Sequence, residues 1–223
     1  LNGCSHDTSE GQSPPGANAS ADAQGQGAGT TNGAGDAASL DLASPPSLPP
    51  PGRDLQRDLL HTSLHLDLGQ KAGVAHLRLA PADTTAASFD VSGLQVRSVR
   101  LLGVDLAHEV VEGILDVGVP AGTAPPELEV RFTFDVVSPF SMQGWMPSGS
   151  TLTWPNYCGN LFPCHPDPAD GATFQLEVVG LPAGQTAVFA PMIPTPAPAY
   201  MLAFAVGAYT WTSLGSTKMG TEV

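Results

Sequence analysis

The strongest constraint on this chain is a period-two alternation that recurs along most of its length. Leu128, Val130, Phe132, Phe134 and Val136 alternate with Glu129, Arg131, Thr133 and Asp135. In an extended strand, successive side chains point to opposite faces, so this segment presents one apolar and one polar face. Leu64, Leu66 and Leu68 alternate with His65 and Asp67, and Ala75, Leu77 and Leu79 with His76 and Arg78. Leu115, Val117 and Val119 alternate with Asp116 and Gly118, and Phe174, Leu176 and Val178 with Gln175 and Glu177. Leu94 and Val96 begin a further run that continues at Val99 and Leu101 after a one-residue slip, the mark of a β-bulge. Gly- and Pro-containing clusters at 69–73, 120–122 and 181–184 separate the runs as turns. Short, one-faced strands at regular spacing predict an all-β domain of antiparallel sheets with one solvated side. Residues 54–60 read equally as one helical turn or an edge strand.

The alternation starts only at Asp54. Residues 5–53 are almost wholly Gly, Ala, Ser, Pro, Asn, Asp and Gln, a composition that cannot bury enough apolar surface to offset its ordering entropy. This stretch is expected to be a disordered tether, stiffened by Pro45-Pro46 and Pro49-Pro50-Pro51 at its end. The folded domain then spans 54–223, and no apolar run is long enough to cross a bilayer as a helix. With 21 acidic and 8 basic residues the net charge is −13, which argues against nucleic acid and against electrostatic attachment to anionic lipid.

Three cysteines are an odd number for an exported chain. Residues 1–4, Leu1-Asn2-Gly3-Cys4, resemble a bacterial lipobox, in which Cys4 receives the lipid; Asn2 departs from the usual small or aliphatic residue. The alternative is a free cysteine. With Cys4 lipidated, Cys158 and Cys164 remain and fit a disulfide closing a short loop. Only His165 stands beside that pair, too few donors for a four-ligand zinc site. The chain would then be an exported lipoprotein, periplasmic or at the cell surface.

Catalytic constellations are lacking in the sequence. His108-Glu109-Val110-Val111-Glu112 imitates a zinc-peptidase helix, but Glu112 replaces the second His and Gly113 follows at once. A β-turn with two solvated acids accounts for it better. Ser138 and Ser141 have no Gly-x-Ser-x-Gly setting. His61 and His65 share a strand face about 13 Å apart, too far to share a metal.

One stretch is more specific. Trp154-Pro155-Asn156-Tyr157-Cys158-Gly159-Asn160-Leu161-Phe162-Pro163-Cys164 leads through Asp167-Pro168-Ala169 to Phe174. A second block runs Tyr200-Met201-Leu202-Ala203-Phe204-Ala205-Val206-Gly207. Together they resemble the N-terminal domain of the aminopeptidase N and leukotriene-hydrolase family of zinc metallopeptidases. Phe162, Pro163, Cys164, Asp167, Pro168, Tyr200 and Gly207 occupy that family's motif positions. The resemblance implies an antiparallel β-saddle or sandwich that forms one wall of a peptidase cleft, with zinc in a catalytic domain expected beyond Val223. It implies as partners that catalytic domain and a peptide substrate, with no catalytic or metal residue in the chain itself. Trp154, Pro155, Asn156 and Tyr157 are the cleft candidates. Leu152 and Trp154 stand where the family has a Gln-x-Glu that binds the substrate's α-amino group, and Gly159-Asn160 replaces its Arg. An indole offers an ammonium a cation–π contact in place of an ion pair; core packing is the other role open to Trp154. Two further readings compete: a non-enzymatic binding or structural surface lipoprotein of the same fold, and a carbohydrate-binding sandwich using Trp145, Trp154 and Trp211.

Overall fold

The computed structural model describes residues 47–137, 143–210, 212 and 215. Cys4, the tail before residue 47, Ser138, Ser141 and Trp211 lie outside them. The first strands are β1 (Leu59–Asp67), β2 (Ala72–Leu79), β3 (Ala86–Asp90), β4 (Gln95–Leu101), β5 (Val104–Asp105), β6 (His108–Val111) and β7 (Ile114–Gly118). They are followed by β8 (Glu127–Thr133), β9 (Gly144–Trp145), β10 (Thr151–Leu152), β11 (Ala172–Val179), β12 (Thr186–Phe189), β13 (Met192–Ala197) and β14 (Phe204–Gly207). Single 3-10 turns at Cys158–Asn160 and Ala199–Met201 are the helical elements among the described residues.

Seven strands form one sheet in the order β13-β11-β1-β2-β8-β4-β5. Its register places the alternating apolar residues in line: Leu176, Leu64, Ala75, Val130 and Val99 sit side by side across five strands, all buried. A one-residue slip of any strand would turn its apolar set to water, so the pattern fixes the register. The slip between Val96 and Ser98 is a register shift of β4 against β8, the bulge expected from the sequence. One pair departs from the antiparallel expectation, because β1 and β11 run parallel. Alternation reports which face is buried and carries no information on strand direction. The long path from β1 to β11 is what permits a parallel neighbour.

A three-stranded sheet, β3-β7-β6, covers the apolar face. Phe89, Leu115 and Val117 point into the shared core. The outer face of β3 and β7 is also covered, because Ser88, Asp116 and Gly118 are buried too. Its cover is the Pro-rich segment: a Cβ on Gly118 would run into the carbonyl oxygen of Pro49. Arg53 reaches Asp116 at 2.9 Å, and Asp54 exchanges backbone and side-chain bonds with Ser88. Residues 49–54, read from composition as the end of a tether and its junction, are therefore packed onto the sheet. The 54–60 segment is neither helix nor edge strand at first; a turn leads into β1.

The zinc-like string is read only in part: both acids are exposed, but Glu109 lies in strand β6 and only Glu112 is in the turn. Glu112 (φ 53°) and Gly113 (φ 79°) form a two-residue hairpin loop joining β6 to β7, with positive φ at both positions as a type I′ turn requires. Leu102 (φ 52°) and Gly103 (φ 81°) do the same between β4 and β5.

Candidate functional site

The residues just ahead of the first sequence block are tied to the second. Thr151 Oγ1 donates to the Phe204 carbonyl at 3.0 Å and accepts from the Phe204 N–H at 2.9 Å. Thr153 Oγ1 donates to the Tyr200 carbonyl at 3.3 Å. Short polar side chains thus pin the β9–β10 hairpin and the segment after it to β14 and its preceding turn. Gly207 ends β14 opposite Thr186.

The loop between β10 and β11 is anchored at its centre. Leu161, Phe162, Pro163, Cys164 and His165 are all buried, and Phe162 meets Phe174 edge-on at 6.5 Å between ring centres. Cys158 and Cys164 form a disulfide, as the cysteine parity suggested. The backbones of Cys164 and Asp90 exchange N–H···O bonds in both directions, and Gly159 lies so close to the Asp90 carboxylate that no side chain would fit. His165 stacks on Phe89; its Nδ1 bonds Asp170, and its Nε2 faces the Ser88 carbonyl at 3.0 Å. Both ring partners are oxygens, so this His is locked as a structural strut. Asp167 and Pro168 are exposed, and Asp167 caps a turn by accepting from the Ala169 N–H at 2.9 Å.

From this base the loop presents its first residues outward. Trp154 is 60% exposed and follows the buried Thr153. Core packing is thus excluded for Trp154. Asn156 and Tyr157 share a pocket of about 390 Å³ with Asp90, Ser92, Ile114 and Asn160. Trp154 and Pro155 do not line it, so the four cleft candidates divide into an exposed pair-member and a pocket wall. Trp145, the other described tryptophan, is half-buried against Phe134, edge-on at 5.9 Å; it offers no stacking platform.

The donor set does not fit zinc. Among the described residues, one cluster brings three residues of metal-binding type together: Asp90, Cys158 and Cys164. Its two sulfurs are bonded to each other and have no thiolate to give. His61 and His65 bond Thr173 and Glu177 on separate parts of the sheet face. Nothing in the sequence had singled out Ser88 or Asp90, because strand β3, Ala-Ala-Ser-Phe-Asp, shows no alternation to read; Asp116 was read as part of a polar face, and the structure buries it.

No protein-family model matches the chain, and no curated protein matches it significantly. Solved structures do. An M1 zinc metallopeptidase from Deinococcus radiodurans superposes with a TM-score of 0.58 at 22% identity, over 73% of this chain and 44% of that one. Legionella pneumophila aminopeptidase A gives 0.64 at 16% identity, over 79% and 25%. Yeast LTA4 hydrolase gives 0.54 at 19% identity, over 67% and 28%. The fold is that of the M1 metallopeptidase N-terminal domain. At these identities the likeness to the M1 enzymes is one of fold. The chain spans less than half the length of the M1 peptidases it matches.

Proposed function

We propose that this chain is the non-catalytic, cleft-lining N-terminal domain of a zinc metallopeptidase of the aminopeptidase type. Hydrolysis and zinc belong to a companion catalytic domain, the part of the M1 enzymes that this chain does not cover. The observation carrying the reading is Trp154, 60% exposed just ahead of the buried, disulfide-closed 158–164 loop, in an M1 N-terminal fold. A large exposed indole on a fixed base suits contact with a substrate or a neighbouring domain more than it suits solvent. Lipidation at Cys4 would hold the assembly at a membrane surface.

The coding sequence following Val223 is the first test. A His-Glu-x-x-His within roughly the next hundred residues is expected, on the helix geometry that zinc peptidases use. The full-length protein should then release N-terminal amino acids from short peptides and lose this activity with a chelator. Trp154→Ala in that protein should raise KM more than it lowers kcat, and unchanged kinetics would remove Trp154 from the cleft. Metabolic labelling with a palmitate analogue, lost in Cys4→Ala, tests the anchor.

A second reading draws on Leu152 and Trp154 standing in place of the amine-binding Gln-x-Glu: a surface lipoprotein that uses the same fold for binding alone. A stop codon after Val223, with no peptidase activity, would decide for it.

A further inference from the structure

The solvent face of the seven-stranded sheet carries a feature that the peptidase reading does not use. The chain has 8 Lys and Arg against 21 Asp and Glu, yet half of those cations, Arg78, Arg97, Arg100 and Arg131, lie on this one face. Two of these four, Arg100 and Arg131, hold a carboxylate, as does Lys71 in the β1–β2 turn, while Arg78 and Arg97 show no carboxylate ion pair among the described residues. Arg131 Nε bonds Glu129 at 2.7 Å, Arg100 bonds Asp105 at 2.7 Å, and Lys71 bonds Asp135 at 2.5 Å. Arg97 has none among the described residues; its terminal nitrogen donates only to Gln95 Oε1 at 3.0 Å and Thr133 Oγ1 at 3.3 Å. The β4 bulge accounts for this placement. Arg97 is the extra residue between Val96 and Ser98, which pair with Phe132 and Arg131, and its guanidinium reaches Thr133 on the neighbouring strand, in the groove that Arg131 also lines.

The two arginines form one wall of a groove of about 440 Å³, with Thr133 between them, Ala72 and Val74 as its floor, and His65 opposite. The floor is low because β2 carries small residues there while its neighbours carry long ones. Val74 pairs with His65 on one side and Arg131 on the other, so the walls stand two strand spacings apart, about 10 Å. Asp67 also borders the groove and brings a carboxylate to its far end, where its Oδ1 accepts from the Gln70 N–H at 3.0 Å in the adjoining turn.

We propose that this groove binds a tetrahedral oxyanion of the phosphate class. Arg97 has no carboxylate of its own among the described residues and Arg131 is held only through Nε by Glu129, so an anion in the trough would meet free N–H groups of both. Two guanidinium forks on one wall, with His65 opposite (its Nδ1 bonded to Glu177 at 3.0 Å, its other nitrogen left over among the described residues), suit a phosphate, whose oxygens point in several directions; a planar carboxylate engages one fork from one side. Each arginine keeps N–H groups beyond those used by its neighbours.

The test is calorimetric titration of the full chain with inorganic phosphate at low ionic strength, with glycerol phosphate and acetate as parallel ligands. Saturable phosphate binding with Kd below about 10 mM is expected. Arg97→Gln and Arg131→Gln should each weaken it about tenfold, and Ala72→Glu, which puts a carboxylate on the floor, should abolish it with unchanged thermal stability. Glycerol phosphate binding as tightly as phosphate supports an esterified ligand of this class, and phosphate binding alone supports the free ion. Absence of saturable binding, equal weakening by the distant Arg100→Gln, or acetate competing on equal terms at matched ionic strength overturns the proposal.

Discussion

Removing the Cys158–Cys164 bond gives a result whose size follows from the structure. The bond spans six positions, and closing so short a loop removes conformational entropy from the unfolded chain worth about 2 kcal/mol. For a domain of this size that corresponds to a Tm lower by about 4–8 °C. The fold should survive, because the two backbone bonds between Cys164 and Asp90 and the buried Phe162 still hold the loop base. Scanning calorimetry of the oxidised chain, the fully reduced chain and Cys158→Ala/Cys164→Ala measures the shift, and far-UV circular dichroism at 25 °C should be unchanged. Both sulfurs are buried, so a reductant can reach them only when the loop opens, and native-state reduction should be slow and speed up with urea. Equal Tm with and without the bond would refute the entropic argument. Reduction as fast as that of a small-molecule disulfide would refute the burial.

Three other outcomes test the packing. Asp116→Ala should cost about 2–4 kcal/mol in urea unfolding, since it strands the buried Ser88 hydroxyl and Arg53's contact. Burial alone would push the Asp116 carboxyl up, but bonds from Arg53 and Ser88 outweigh it and hold it below the ordinary range. Its contribution is therefore complete above about pH 4 and lost as pH falls further, and the variant should show a shallower acid slope there. Gly118→Ala should destabilise the domain by at least about 1 kcal/mol, because its Cβ drives Pro49 and Pro50 off the sheet; a neutral result would return those prolines to the tether. Leu102 is 93% exposed with φ 52°, so Leu102→Gly should raise stability by about 1 kcal/mol, read as a higher midpoint in urea.

The seven-stranded sheet was readable because five of its strands have one wet face, and Leu64, Ala75, Val130, Val99 and Leu176 announce the other. Strand β3 was hidden for the opposite reason. Covered on both sides, it has no polar face to alternate with, and Ser88 and Asp90 are buried on the strength of specific partners. The Pro-rich segment before Asp54 misleads in the same way, since its contacts are made by backbone and by Arg53, and composition counts only apolar side chains. At the loop, parity of cysteines pointed to the disulfide, whereas the exposure of Trp154 and the split between it and the Asn156–Tyr157 pocket depend on how the loop is pinned by Thr151, Thr153 and Asp90. Those are long-range contacts of ordinary residues and leave no local signature.

The parallel seam between β1 and β11 sets an order of events. His61 meets Thr173 across 112 residues of chain, and Leu64 and Leu66 have no partner on that edge until β11 arrives. Antiparallel β2 can zip onto β1 within microseconds, but the seam must wait until nearly the whole domain has been synthesised. A chain so wired stays open while it grows and closes in one late, slow step. During that interval the unpaired edge of β1 is open to pairing with a strand of another chain.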